Sequence, residues 1–171
     1  NLARELEIPL TNFAETLHVD ITIDGADEVD PAFNLIKGGG GALLREKFVA
    51  SASQTELIIV DESKLRERLG AFPLPIEVVP FGWQLTCQHL RELGCEATFR
   101  STERGPFITD NGNYILDCLF GAIEDPPTLE RQILNTCGVV ECGLFTGLTT
   151  RIIIGRSNGE LEERTDPRAL C

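Results

Sequence analysis

Asp24-Gly25-Ala26-Asp27-Glu28, then Lys37-Gly38-Gly39-Gly40-Gly41, then Glu46 bring acids, a cation, glycine amides and one more carboxylate into a short span. Moving a proton next to the carbonyl of an anionic sugar needs such a set. It needs a base within reach of the C–H, donors for the oxygen that gains negative charge, and a shielded site where the phosphate anchors the substrate. Glu46 is the candidate base. Lys37 and the amides of Gly38, Gly39 and Gly40 are the candidate donors, and Lys64 is a candidate phosphate contact. Asp24 and Asp27 are placed to shuttle protons on the sugar hydroxyls. His18 and His89 lie far apart with no ligand pattern and read as structural or surface histidines.

Each feature alone has an ordinary explanation. Four glycines in a row make a flexible turn, and acids at a strand end cap turns. Asp24 and Asp27 also resemble the paired carboxylates of a Mg²⁺ site. Lys37 competes for that role, however, and no third spaced acid is evident. A glutamate in the first turns of a helix is favoured by the dipole, and a lone Lys64 reads as a solvated lysine. The combination carries the functional reading. A nucleotide phosphate loop is excluded, because it wants Lys and then Ser or Thr after the glycines. Here Lys37 precedes them and Ala42 follows Gly41.

The elements that must hold these residues follow from periodicity. Val19 to Ile23 reads as a strand ending at Asp24, and Ala42 to Ala52 as a helix with Leu43, Leu44, Phe48 and Ala52 at helical spacing. Leu57-Ile58-Ile59-Val60 is a continuous apolar run, which predicts a strand covered on both faces. Asp24 and Lys64 then fall at carboxyl ends of strands, where open α/β sheets gather ligands.

Phe72-Pro73-Leu74-Pro75 marks a boundary. Beyond it the pattern predicts a strand over 76–80, a helix over 84–93 ending at Gly94, and a strand over 96–100. A hairpin of 107–109 with 114–120 around Asn111-Gly112, a helix over 126–135 and a strand over 139–145 complete it. That order, βαββαβ, is the ferredoxin-like split pattern. Arg151 to Ile154 is a strand that could return to the first unit, Ser157-Asn158-Gly159 a turn, and the acidic tail after Glu160 is expected to be loose. The expected architecture is α/β: a Rossmann-like parallel-sheet domain (1–75 plus 147–171) with an inserted ferredoxin-like α+β domain (76–146).

The 171 residues are 42% hydrophobic, ample for a core, and carry a formal net charge of −12. Such a chain repels nucleic acid and acidic membrane surfaces at long range, so a bound phosphate must rely on local cations and amides. No apolar run approaches the ~20 residues of a membrane span, and no signal-peptide pattern is seen. The six cysteines, Cys87, Cys95, Cys118, Cys137, Cys142 and Cys171, include no Cys-x-x-Cys. They read as reduced, mostly buried thiols of a cytoplasmic protein rather than as disulfides or metal ligands.

These motifs closely resemble type A ribose-5-phosphate isomerase. The family pattern of Asp-Gly-Ala-Asp-Glu, Lys-Gly-Gly-Gly and Arg-Glu-Lys is met by Asp24–Glu28, Lys37–Gly40 and Arg45–Lys47, with the spacing from Lys37 to Glu46 also matching. Phe72-Pro73-Leu74-Pro75-Ile76-Glu77-Val78, Thr109-Asp110-Asn111-Gly112-Asn113, and Gly138-Val139-Val140 leading to Gly143-Leu144-Phe145 are similar to further family segments. The resemblance implies interconversion of ribose 5-phosphate and ribulose 5-phosphate through an enediolate, with Glu46 as general base. It implies that Asp24, Gly25, Ala26, Asp27, Lys37, Gly38, Gly39 and Gly40 line the sugar, that Asp27 assists ring opening, and that Lys64 contacts substrate. It also implies no metal or organic cofactor, and a homodimer or homotetramer.

The family has a Gly/Thr/Ser-rich phosphate loop and a preceding lysine ahead of the residues present here, and Thr149-Thr150 does not substitute for them. The chain also opens, at Asn1 to Leu6, in what reads as the middle of a helix. The expectation is therefore a fragment of a longer isomerase with a partial phosphate site. A sugar-phosphate sensor of the same broad fold is the alternative, and it would have no need of Glu46. A fragment serving only in subunit assembly is a second alternative.

Overall fold

The computed structural model describes residues 2–170; the expectations that fall on Asn1 and Cys171 lie outside them. In chain order the elements are α1 (Leu2–Glu5), β1 (Val19–Asp24), β2 (Glu28–Val29), β3 (Leu35–Ile36), α2 (Leu43–Ser51), β4 (Ser53–Asp61), β5 (Leu74–Val78), α3 (Trp83–Glu92) and β6 (Glu96–Phe99). Then come β7 (Ser101–Thr102), β8 (Gly105–Pro106), β9 (Tyr114–Leu119), α4 (Pro126–Leu134), β10 (Val139–Cys142), β11 (Leu144–Phe145), β12 (Arg151–Gly155) and β13 (Leu161–Thr165).

Two larger sheets organise the molecule. One has the order β1-β4-β12-β13, with β1, β4 and β12 parallel and β13 antiparallel at the edge. The other is antiparallel, β10-β5-β9-β6, and carries α3 and α4 in the βαββαβ order predicted from the sequence. A short sheet, β11-β3-β2, lies at the centre of the chain's connections. The stretch predicted as one strand over 139–145 is divided: β10 pairs with β5, and after Gly143 β11 pairs with β3. Gly143 donates to Pro75 O at 2.7 Å and accepts from Lys37 N at 2.9 Å, so it ties the two pairings together.

Two cores follow. Leu74, Ile76, Leu90, Leu116, Ile133 and Leu144 fill the antiparallel unit. Ile58, Val60, Ile152 and Ile154 pack one face of the parallel sheet against Val29, Leu35, Ala50 and Phe145. The other face is open: Ile21, Ile23 and Ile59 are exposed. The run Leu57 to Val60 is therefore not covered on both faces as its composition predicts. A continuous apolar run signals burial of a strand, but the packing that covers it is set elsewhere in the fold.

Two further expectations are corrected. Phe107 to Thr109 is not a strand; the hairpin forms earlier, between β7 and β8. Thr109 N instead donates to Asn113 O and Gly112 N to Thr109 O, which closes a compact loop. The tail after Glu160 is not loose over Leu161–Thr165. Those residues pair along β12, and Glu162 meets Arg156 across the pair and Arg164 two residues along its own strand. Five described cysteines are unbridged, four of them buried and Cys137 exposed. Among the described residues no helix is long and apolar enough to cross a membrane.

Candidate active site

β1 ends at Asp24, and the chain turns through Gly25 and Ala26 to Asp27 before entering β2. Asp24 Oδ1 accepts from Gly25 N at 2.7 Å, which fixes the turn and leaves Oδ2 pointing inward. β3 then delivers Lys37, whose backbone is held by Gly143. The glycines that follow are needed for distinct reasons. Gly38 and Gly41 have φ of +98° and +88°, the left-handed region. A Cβ on Gly39 would lie 2.9 Å from Asp27 Oδ1. Gly39 N donates to Asp27 Oδ2 at 2.8 Å, so Asp27 braces the loop from below.

Lys37 is the centre of the arrangement. It is 3% exposed, and its Nζ lies 3.0 Å from Asp24 Oδ2 and 3.3 Å from Glu46 Oε2, while also donating to Gly25 O. The ring of Phe145 supports it from beneath, 5.5 Å from Nζ, a cation–π distance. Glu46 comes from the first turn of α2, and its Oε2 is buried with only the Lys37 ion pair for company. Burial raises the Glu46 pKa above the ordinary 4.5; Lys37 opposes that rise and the Asp24 charge reinforces it. The carboxylate is thus partly desolvated and poised nearer neutrality, as a general base should be.

Asp24, Gly25, Ala26, Asp27, Lys37, Gly38, Gly39, Gly40 and Glu46 line one cleft of about 280 Å³. All the predicted site residues except Lys64 meet there. Lys64, in a short 3₁₀ turn after β4, lines an adjoining cavity of about 360 Å³ on the other side of Gly25 and Ala26, which border both. Lys64 has no ion-pair or hydrogen-bond partner among the described residues. The carboxylate of Asp24 is paired with Lys37 and that of Asp27 accepts from Gly39 N. Glu130, Glu141 and Cys142 also gather, but Lys47 Nζ stands among them, 2.8 Å and 2.7 Å from the two carboxylates and 2.9 Å from Cys142 O.

A family model described as ribose 5-phosphate isomerase A (phosphoriboisomerase A) matches residues 1–159. The chain belongs to that family. Ribose-5-phosphate isomerase A 1 of Oceanobacillus iheyensis is 52% identical over 156 residues, covering 91% of this chain and 70% of that protein. The protein of that name from Chloroflexus aurantiacus is 54% identical over 160 residues, covering 92% and 67%. The ribose 5-phosphate isomerase structure of Plasmodium falciparum aligns with a TM-score of 0.93 at 42% identity, covering 97% of this chain and 74% of that one. A D-ribose-5-phosphate isomerase solved in complex with phospho-erythronic acid aligns with a TM-score of 0.92 at 38% identity, covering 96% and 72%. The isomerase A family therefore accounts for both the motifs and the fold.

Three contributors to the site are not singled out by the sequence. Arg100, just after β6, donates to Gly38 O and Gly39 O. Phe145 lies between two ammonium groups, 5.5 Å from Lys37 Nζ and 4.9 Å from Lys47 Nζ. Glu56 on β4 is buried on the same sheet face as Asp24, since Thr22 and Asp24 pair in register with Glu56 and Ile58. Its Oε2 accepts from Thr149 Oγ1 at 3.1 Å and its Oε1 is unpartnered. Burial raises its pKa, partly opposed by the Thr149 hydroxyl and Lys37. Of the three, Phe145 falls in a family-like segment and Glu56 is a lone acid opening an apolar run, while Arg100 carries no such signal.

Proposed function

We propose that this chain interconverts D-ribose 5-phosphate and D-ribulose 5-phosphate by proton transfer through an enediolate. The observation that carries the reading is Glu46: a partly desolvated carboxylate held 3.3 Å from a buried ammonium, in a cleft rimmed by glycine amides. In the open-chain aldose, Glu46 removes the proton on C2 and the electron pair moves toward the carbonyl oxygen. Lys37 and the Gly40 amide meet the charge that develops there, which is where preorganised donors contribute most. Glu46 then returns the proton to C1 while the C2 hydroxyl proton passes to the C1 oxygen, which opens the C2 carbonyl and gives the ketose.

Asp27 borders the cleft and accepts from Gly39 N, a position suited to assisting ring opening of the bound sugar. Asp24 relays protons among the hydroxyls and keeps Lys37 in place. Lys64, across the Gly25–Ala26 turn, takes the phosphate. No group outside the chain is required for this chemistry, since the substrate carbon is already activated by its own carbonyl. A cytoplasmic homodimer or homotetramer belongs to the same reading, and sedimentation tests the assembly. A sugar-phosphate sensor would have no use for a desolvated carboxylate beside the ammonium.

The deciding experiment incubates the protein with ribose 5-phosphate in D₂O and follows deuterium at the sugar C–H by NMR, beside Glu46→Gln. Incorporation that disappears in the variant is expected. Equal incorporation in both would remove Glu46 from the mechanism, and the absence of both incorporation and ribulose 5-phosphate with either protein would remove the activity from this chain.

A further inference from the structure

Arg100 belongs to the antiparallel unit, yet it holds the glycine loop of the other. Its guanidinium is fixed by Asp117 on β9, with Nε 2.8 Å from Oδ2 and Nη2 paired with Oδ1. Its Cζ lies 5.6 Å from the centre of the Phe107 ring, and that ring fills the space beside Gly41, where a Cβ would come within 2.4 Å of it. From this clamp Nη1 reaches both Gly38 O and Gly39 O, each at 3.1 Å.

A trans peptide holds its C=O and N–H in opposite directions. Carbonyls of Gly38 and Gly39 drawn toward Arg100 therefore turn the N–H groups of Gly39 and Gly40 the other way. One result is already bonded: Gly39 N donates to Asp27 Oδ2. The other, the Gly40 N–H, has no partner among the described residues, and Gly40 lines the cleft with Lys37 and Glu46.

We infer that Arg100 is a positioning residue for the proton transfer: by holding the Gly38 and Gly39 carbonyls it aims the Gly40 amide at the oxygen that gains charge. The inference rests on the isomerase reading above. Gly41 N also donates to Gly38 O at 3.0 Å, but the Gly39 carbonyl, on the peptide that carries the Gly40 amide, is held among the described residues by Arg100 alone, so without it that exposed donor would have to be ordered during the reaction itself. A cation bonded to one end of a peptide group also polarises the donor at its other end. Lysine cannot replace this contact, because a point charge lacks the planar fork that bonds Asp117 and two carbonyls together.

The test compares wild type with Arg100→Lys and, as a milder variant that leaves the guanidinium present, Asp117→Asn. In Arg100→Lys, kcat is expected to fall about 10- to 100-fold, a fraction of what losing an oxyanion donor outright costs. KM for ribose 5-phosphate should move less than about 3-fold, because ground-state contacts are retained. Binding of phospho-erythronic acid, whose carboxylate places charge where the enediolate does, should weaken in step with kcat. The acid limb governed by Glu46 should stay where it is. Asp117→Asn should show the same pattern, smaller.

Amide NMR of the unliganded protein supplies a readout free of turnover: Gly39 should exchange faster and the Gly40 signal shift in both variants. Unchanged Gly39 and Gly40 signals would overturn the inference whatever the activity. So would a loss explained by a smaller folded fraction with kcat per folded molecule intact. A wild type that neither turns over nor incorporates deuterium removes the isomerase reading, and with it the catalytic part of the inference, while the amide signals separately decide the orienting role.

Discussion

Lys37 Nζ lies 3.3 Å from Glu46 Oε2, so the ammonium proposed to meet a developing oxyanion also rests against the carboxylate proposed to take the proton. The two effects on Glu46 oppose each other. Burial raises its pKa from 4.5, and Lys37 pulls it back down. A base that is deprotonated above its pKa loses activity as pH falls, so kcat/KM should decline through an inflection above 4.5. Glu46→Gln should lower isomerisation by about 10³-fold with little change in KM, within the usual range for a general base. Stopped and continuous assays across pH 4 to 9 check both, and an acid limb at the ordinary carboxylate position in wild type would contradict the desolvated geometry.

Lys37→Met should act twice. Removing a preorganised donor costs about 10²- to 10³-fold in kcat. Removing the contribution that lowers the Glu46 pKa should also move the acid limb of the residual activity to higher pH. A loss of kcat with a limb that stays fixed or moves down would mean that Lys37 and Glu46 are not in contact in solution.

Glu56 gives a stability prediction of unusual sign. Its folded pKa lies above 4.5, so between the unfolded and folded values the native state holds a proton that the unfolded chain has lost. The unfolded chain then binds fewer protons, and stability falls as pH rises through that window. A tenfold difference in proton affinity between the folded and unfolded states corresponds to about 1.4 kcal/mol. Glu56→Gln keeps an acceptor for Thr149 Oγ1 and removes the titration, so it should flatten that decline and leave the protein at least as stable as wild type at pH 7. Urea unfolding at pH 5 and pH 7 reads the slope; a variant less stable at pH 7 than at pH 5, relative to wild type, would refute it.

What the sequence makes legible is what local chemistry determines. Asp24, Lys37, Gly38 to Gly40 and Glu46 lie within two turns and one helix start, and all of them reach one cleft. The βαββαβ order is equally readable, because each element carries its own period and cap: Asp125 accepts from Thr128 N at the start of α4, for example. Long-range partners are not. Arg100 lies 61 residues from Gly39, and nothing at either position announces the other. β13 reads as a loose tail because Leu161-Glu162-Glu163-Arg164-Thr165 has little apolar content, yet an edge strand needs only one paired side and polar side chains suit its open one. The strand-end position of Lys64 groups it with the cleft, and the Gly25–Ala26 turn that divides the two cavities is a feature of packing alone.

The first motif itself mixes two kinds of acid. Asp24 and Asp27 face the cleft, but Glu28, the fifth residue of Asp-Gly-Ala-Asp-Glu, is 0% exposed and turned away from it. Glu28 Oε1 accepts from Phe72 N at 2.9 Å and Arg66 Nε at 3.1 Å, and Oε2 accepts from Gly70 N at 2.7 Å. It therefore fastens the connection between β4 and β5, the passage from one sheet to the other. Gly70 has φ of +111° and sits against Gly121 O so closely that no side chain fits. Glu28→Ala leaves two backbone donors without their acceptor and one guanidinium without its counterion. Groups orphaned in that way should cost about 3 kcal/mol. Chemical denaturation should show that loss, while kcat per folded molecule, measured at a temperature where the variant remains native, should stay within about 3-fold of wild type, since no ground-state or transition-state contact is removed. A variant of normal stability with kcat lowered as far as in Glu46→Gln would assign Glu28 to the chemistry and overturn the division of the motif.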